Sequence, residues 1–271
     1  MQQSRRALAA LLAPPMLWLL VAYLGALAAI FATAFFTTDD FTNKVVQDFS
    51  TENFSQLFTP TYLRIIGRTL LIATTVTVLC TLIAVPFAYF MTYLAPRRMR
   101  GLLVAAVLVP LWASYLVKAY AWRAMLQPGG VLDSTFGATP GYGFTAVVLT
   151  LTYLWLPYMI LPVYAGFERL PRSHLEAAAD LGSSGMTAFR RVILPSLKPA
   201  IAAGTIFTFS LSLGDYIAVQ IVGGKLQVLG TAVRQNIALD LPFAAAIGTA
   251  SVAIMVLYLV AIRRTGALEN L

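Results

Sequence analysis

Long apolar stretches, each parted from the next by a short polar segment, recur along almost the whole of this chain. A helix that crosses a bilayer needs about 20 mostly apolar residues, and it must satisfy its own backbone N–H and C=O groups on the way. Six stretches qualify, at roughly 9–36, 65–94, 102–126, 144–167, 199–222 and 244–262. The expected fold is an all-α membrane protein of six transmembrane helices forming a single domain over residues 1–271. Composition agrees. Only 11% of the residues are charged and 59% are hydrophobic, whereas a soluble domain carries about 25% charged residues.

The first stretch imitates a secretory signal, with Arg5–Arg6 ahead of an apolar run and Ala26–Ala28 as a small-residue cleavage site. It continues to Phe36, past the roughly 7–15 residues of a signal core, and is read as the first membrane helix. Pro14–Pro15 suits a helix start, where a missing N–H costs nothing. Orientation follows the lysine and arginine bias. With the N-terminus inside, the inner segments hold Arg5, Arg6, Arg97, Arg98, Arg100, Arg169, Arg172, Arg190, Arg191, Lys198, Arg263 and Arg264, twelve of the 19 basic residues. The outer loops, 37–64, 127–143 and 223–243, carry most of the acids. The expected topology is N-in/C-in. FSTENFSQLF in the first outer loop reads equally as a surface-lying amphipathic helix or a packed loop, and PGGVLDSTFGATPGYG as a turn-forming connection.

The net charge of +8 does not indicate a nucleic-acid binder, because the basic residues sit in small clusters between apolar runs. One cysteine, Cys80, and one histidine, His174, allow neither an internal disulfide nor a Cys/His metal site. An intramembrane enzyme is disfavoured: there is no H-E-x-x-H, and the histidine lies in a polar insert. An ion-coupled secondary carrier would need several coupling acids within its spans, where Asp215 is the one convincing case.

The polar insert is 169–198, the longest inner segment. Ser173 and Glu176 have capping-box spacing, Ala177, Ala178 and Ala179 favour helix, and Gly182 permits the left-handed backbone that ends one. Ser183 and Ser184 can cap a second helix, which Pro195 is expected to stop. The segment reads either as a well-capped loop or as a helix–turn–helix that presents Leu175, Ala179 and Leu181 to a cytoplasmic partner. Arg190 and Arg191 face lipid phosphate, solvent or acids of that partner.

Glu176, Ala177, Ala178, Gly182, Leu194 and Pro195 follow the pattern E-A-A-x3-G-x9-I-x-L-P, with Val192 at the isoleucine position. This resembles the signature loop of the membrane subunits of bacterial binding-protein-dependent ABC importers. RTLLIATTVTVLCTLIAVPFAYFMTY, PLWASYLVKAYAWRAML, YLWLPYMILPVYAGFERLP and GTIFTFSLSLGDYIAVQIVGG look like the spermidine/putrescine-type permeases. The resemblance implies a six-helix type I importer permease in the bacterial inner membrane, with 169–198 as the loop coupling it to an ATPase. It also implies a second homologous permease, two ATP-binding subunits, and a solute-binding protein or lipoprotein outside. ATP and Mg belong to those partners: the chain lacks G-x4-G-K-[ST], and GGK at 223–225 is followed by Leu226. Polyamines are the expected solute, with a phosphonate, Fe(III) or another organic cation as alternatives.

Candidate substrate-path residues are Asp215, Tyr216, Trp112 and Tyr115. A carboxylate within a span can balance an amine, and aromatic faces attract ammonium by roughly 0.5–2 kcal/mol each. Equally, Asp215 could pair with Lys118 or Arg123 and only fix helix packing, while Tyr120 and Trp122 anchor at the interface. Lys118 and Arg123 pointing into the path would repel a polyamine, so they are expected to snorkel outward or to meet Asp133.

Overall fold

The computed structural model describes residues 2–39, 42, 44–171, 173, 180 and 182–264, with the backbone alone over 2–10. The chain forms two compact units, one of residues 1–63 and 232–252, the other of 64–231 and 253–271.

In the first unit, α1 (Gln2–Thr33) runs through Pro14 and Pro15 rather than starting there. None of Leu11–Thr33 is buried within the chain. After α1, β1 (Thr37–Thr38) and β2 (Val45–Val46) pair antiparallel, Thr37 opposite Val46. The FSTENFSQLF stretch forms a short helix, α2 (Glu52–Leu57), with Asn53 and Leu57 buried and the flanking Phe49 and Phe58 exposed. Its Asn53 is buried and donates Nδ2–H bonds to the carbonyls of Ala34 (3.0 Å) and Phe36 (2.8 Å), just past the end of α1. Phe35 stacks on Phe49 at 5.0 Å beside them. Thr38 donates to Asp240 Oδ1 (2.8 Å), which also accepts the Phe243 N–H (3.1 Å) at the start of α13 (Leu241–Arg264).

The second unit holds most of α3 (Pro60–Tyr89), then α4 (Arg97–Trp112), α5 (Tyr115–Leu126), α6 (Val131–Phe136) and α7 (Phe144–Arg169). It continues with α8 (Gly185–Ala188), α9 (Leu194–Ser196), α10 (Lys198–Gly214), α11 (Ile217–Val222) and the start of α12 (Leu229–Asn236). Two π-helical turns, Phe90–Leu94 and Phe189–Ile193, extend α3 and α8. The core runs down α3 and α7 through Ile72, Val76, Leu151, Leu154, Met159 and Phe167. Between α7 and α10 the backbones approach at glycines, as apolar helices do when van der Waals contact is the main attraction. A Cβ at Gly204 would lie 2.4 Å from Met159 Sδ, and one at Gly166 would lie 2.6 Å from Ala200 Cβ. Cys80 is buried, its thiol facing the Thr152 carbonyl at 3.6 Å. The 127–143 connection is more than a turn, since α6 sits within it and ends on the left-handed Gly137 (φ 67°).

Four helices among the described residues are long and apolar enough to cross a membrane, or up to six if each of two bent pairs counts as a span. The expected straight span at 102–126 is broken: α4 ends at Trp112 and α5 begins at Tyr115, and the segments Arg97–Trp112 and Tyr115–Phe136 meet at 95°. Ala113 and Ser114 are extended there, and Lys118 Nζ donates to the Pro110 carbonyl (3.0 Å) near the end of α4. The expected span at 199–222 is likewise interrupted, at Asp215–Tyr216.

If the α7–α10 seam is built on absent side chains, Gly204→Val should destabilise the purified protein by about 1–3 kcal/mol through overpacking. Gly67→Ala, where a Cβ meets nothing within 4 Å, should be neutral or stabilising, by up to ~1 kcal/mol of helix propensity. Thermal unfolding in detergent compares the two; equal melting temperatures would contradict the packing argument.

Candidate functional site

Two of the expected spans lose their helical backbone near one another, at Ala113–Ser114 and at Asp215–Tyr216. Asp215 follows α10 in extended conformation (φ −72°, ψ 120°) and is 9% exposed. Its Oδ1 accepts the Ala218 N–H at 2.9 Å, an i to i+3 bond of the kind that opens a helix and here starts α11. Its Oδ2 accepts the hydroxyl proton of Tyr115 at the head of α5. One side chain thus caps α11 and is tied to the head of α5. Behind Tyr115 the Trp155 indole of α7 stacks at 5.8 Å and 28°, and Tyr158 meets Trp155 edge-on at 5.9 Å. These groups border a cavity of about 340 Å3 lined by Tyr115, Trp155, Ser210, Leu211, Gly214, Asp215, Tyr216 and Ile217.

Three of the four expected path residues, Asp215, Tyr216 and Tyr115, therefore share one cavity. Trp112 does not join them; it lies at the end of α4, 86% exposed. Trp155 was missed as a site residue. The available signal was a tryptophan in the body of an apolar span, away from the interfaces where tryptophan usually collects. Asp215 does not pair with Lys118 or Arg123. Lys118 is bound to the Pro110 carbonyl, and the Arg123 guanidinium lies over the Tyr142 ring, 5.6 Å from its centre. Asp133, the expected partner of those cations, accepts instead from the Gly129 N–H at 2.8 Å. Neither cation lines the cavity. Chemically the cavity offers one carboxylate, aromatic faces and the carbonyl end of α10, a negative setting.

In the second candidate region, 169–198, Glu176, Ala177 and Ala178 lie outside the described residues, as do Leu175, Ala179 and Leu181. Gly182 is left-handed, as its position requires (φ 71°). Ser184 caps α8, its Oγ accepting the Thr187 N–H at 3.4 Å. Pro195 does not stop the helix. The π turn Phe189–Ile193 resets the ladder so that Pro195 falls in the first turn of α9, where no N–H is needed. The direction changes instead at Leu197, where Gly185–Ser196 and Lys198–Gly214 meet at 64°. Phe189 packs edge-on against Tyr89 (6.2 Å), which meets Phe167 at 5.9 Å. Ile193 and Leu197 are buried, while Leu194 and Pro195 stay exposed. The arm that returns from the insert is therefore anchored in the core.

Comparison with known proteins places this architecture. Residues 4–265 match the family described as binding-protein-dependent transport system inner membrane component. The chain belongs to that family: it is a multi-pass permease component of a bacterial ABC importer. It is 39% identical to the inner membrane ABC transporter permease protein YdcU of Escherichia coli (strain K12), over 96% of this chain and 90% of that one. To the spermidine/putrescine transport system permease protein PotB of Haemophilus influenzae it is 31% identical, over 93% of this chain and 92% of that one. The fold is also that of a bacterial alginate ABC transporter, solved in complex with an alginate pentasaccharide-bound periplasmic protein. That match has a TM-score of 0.73 at 14% identity, covering 96% of this chain and 93% of the other.

Tyr115→Phe keeps the stack on Trp155 but deprives Asp215 Oδ2 of its donor. The purified protein should lose about 1–3 kcal/mol of stability, the cost of a buried acceptor left open. The loss should be smaller in an Asp215→Asn background, because groups in one network do not add. Thermal unfolding of the two single variants and the double variant measures this; strict additivity would contradict the bond.

Proposed function

We propose that this chain is one of two homologous permease subunits of an ATP-driven importer of polyamines. It crosses the membrane six times with both termini inside, each bent pair counting as one span. Twelve of the 19 basic residues then fall on the cytoplasmic side. The second permease completes the path, a solute-binding protein or lipoprotein delivers the solute from outside, and two ATPase subunits bind ATP and Mg within.

The observation that carries the solute reading is the setting of Asp215: a carboxylate inside a span, free of any pairing with Lys118 or Arg123, bordered by Tyr115, Trp155 and Tyr216. An intramembrane carboxylate is costly unless it has a task or a partner, and a primary ammonium is its natural complement. An anion such as a phosphonate would meet the wrong charge. The PotB proteins, which carry spermidine and putrescine in their names, support the same class.

The segment 169–198 couples this path to ATP hydrolysis. Glu176, Ala177 and Ala178 begin the part held by the ATPase, and Gly182 sets the turn. Leu194 and Pro195 start the return arm into α10, whose 17 residues end at Gly214, next to Asp215. A tilt imposed at the insert reaches the carboxylate as a rigid-body shift of that helix.

In proteoliposomes holding the assembled transporter, Asp215→Asn should lower uptake of radiolabelled putrescine about tenfold or more, the scale of losing one charge-assisted contact. ATP hydrolysis stimulated by the solute-binding protein should stay within about twofold of the parent, since the change touches no coupling residue. Glu176→Lys and Gly182→Pro should do the reverse, abolishing stimulation while the subunit still inserts. Undiminished putrescine uptake by Asp215→Asn would remove the carboxylate from the path, and normal coupling in Glu176→Lys would remove the insert from its role.

A further inference from the structure

Asp215 is held from the front by Tyr115 and Ala218, and the backbone around it also rests on something behind. That support is the first turn of α12. Val228, Leu229 and Thr231 are all at most 4% exposed. The turn is fastened in two ways. Thr231 Oγ1 accepts the Val228 N–H (2.9 Å) and donates to the Val228 carbonyl (2.8 Å), which closes the turn on itself. The Leu229 N–H donates to Thr69 Oγ1 (2.9 Å), and that hydroxyl donates to the Ile65 carbonyl (2.7 Å), which binds the turn to α3. In the middle of this fixed turn stands Gly230, where a Cβ would lie 2.9 Å from the Gly214 carbonyl oxygen, 3.1 Å from Tyr216 Cβ and 3.2 Å from the Asp215 carbonyl carbon. Two of these three atoms are backbone, so no rotamer change can make room.

We propose that Gly230 is a positioning residue for the cation site: its missing side chain lets the interrupted backbone at Gly214–Tyr216 settle onto the turn anchored by Thr69, and this sets how far the Asp215 carboxylate reaches into the cavity. The inference rests on the reading of Asp215 as the ammonium partner and adds what fixes its place. The Tyr216 carbonyl accepts the Gln220 N–H (2.9 Å), which fixes the far side of the break, and the Asp215 side is placed by what touches it: Tyr115, the Ala218 N–H and Gly230. A methyl group at 230 moves the break bodily, and the carboxylate moves with it.

The test is a double-mutant cycle on the assembled transporter in proteoliposomes, with radiolabelled putrescine as the probe and ATP hydrolysis measured alongside. Gly230→Ala is expected to lower putrescine carried per ATP hydrolysed about tenfold, the scale of an overpacking clash expressed at the site. In the Asp215→Asn background it should lower the ratio no further, because the two act through the same atoms. Thr69→Val, which frees the turn without a clash, should move the ratio in the same direction by a smaller factor and again only when Asp215 is present; it serves alone if Gly230→Ala fails to assemble. A structural role without positioning would show uptake, ATP hydrolysis and melting temperature falling together, and that result overturns the proposal. So does an effect of Gly230→Ala or Thr69→Val that persists undiminished with Asp215→Asn. An Asp215→Asn transporter with unaltered uptake overturns the ammonium reading itself, a failure distinguishable from the other two because it appears in the single variant.

Discussion

The hydrogen bond from Tyr115 to Asp215 joins two places where an expected membrane span is interrupted. Hydrocarbon does not hydrate backbone, so a helix can open within a bilayer only where protein or a water-filled cavity takes over its N–H and C=O groups. At the first break Lys118 takes the Pro110 carbonyl. At the second, Asp215 takes the Ala218 N–H. The tyrosine–aspartate bond then ties α5 to the junction of α10 and α11, so neither opening stands alone. A cavity with a carboxylate in its wall follows directly from that arrangement.

The same bond explains why α10 matters at both its ends. Its first residue, Lys198, adjoins the bend at Leu197, and its last, Gly214, adjoins Asp215. At about 1.5 Å per residue, 17 residues make a rod of roughly 25 Å. Along that rod Gly204 sits against Met159, and Ala200 sits against Gly166. A closely packed helix of this kind passes displacement on rather than absorbing it. On the proposed reading, one helix carries the movement of the cytoplasmic insert to the carboxylate.

Much of this was legible in the sequence, and the failures have physical causes. The apolar runs located the membrane helices, because a bilayer leaves so few ways to bury a backbone. Gly182 and Ser184 were legible because a left-handed turn and a helix cap each require particular side chains. Asp215 and Tyr115 were picked out by chemistry, but not their partnership, which spans 100 residues and depends on both breaks. The break at Ala113–Ser114 left no mark in hydropathy, since extended and helical backbone are equally apolar in side chain. Pro195 misled because a proline stops a helix only when its N–H would have been needed, and the π turn before it removes that need. Gly230 could not be recognised from the sequence at all: its role lies in contacts with residues 14 to 16 positions earlier that only the folded chain brings against it.

The central claim is that the carboxylate of Asp215, at the junction of α10 and α11, receives the cationic end of the solute. The most direct measurement is an electron cryomicroscopy structure of the assembled transporter trapped with spermidine in its membrane path. The account predicts an ammonium group within about 4 Å of the Asp215 carboxylate, the reach of an ion pair, lying against the Trp155 face. Spermidine density elsewhere in the path, with the 340 Å3 cavity beside Asp215 empty of it, would contradict the account.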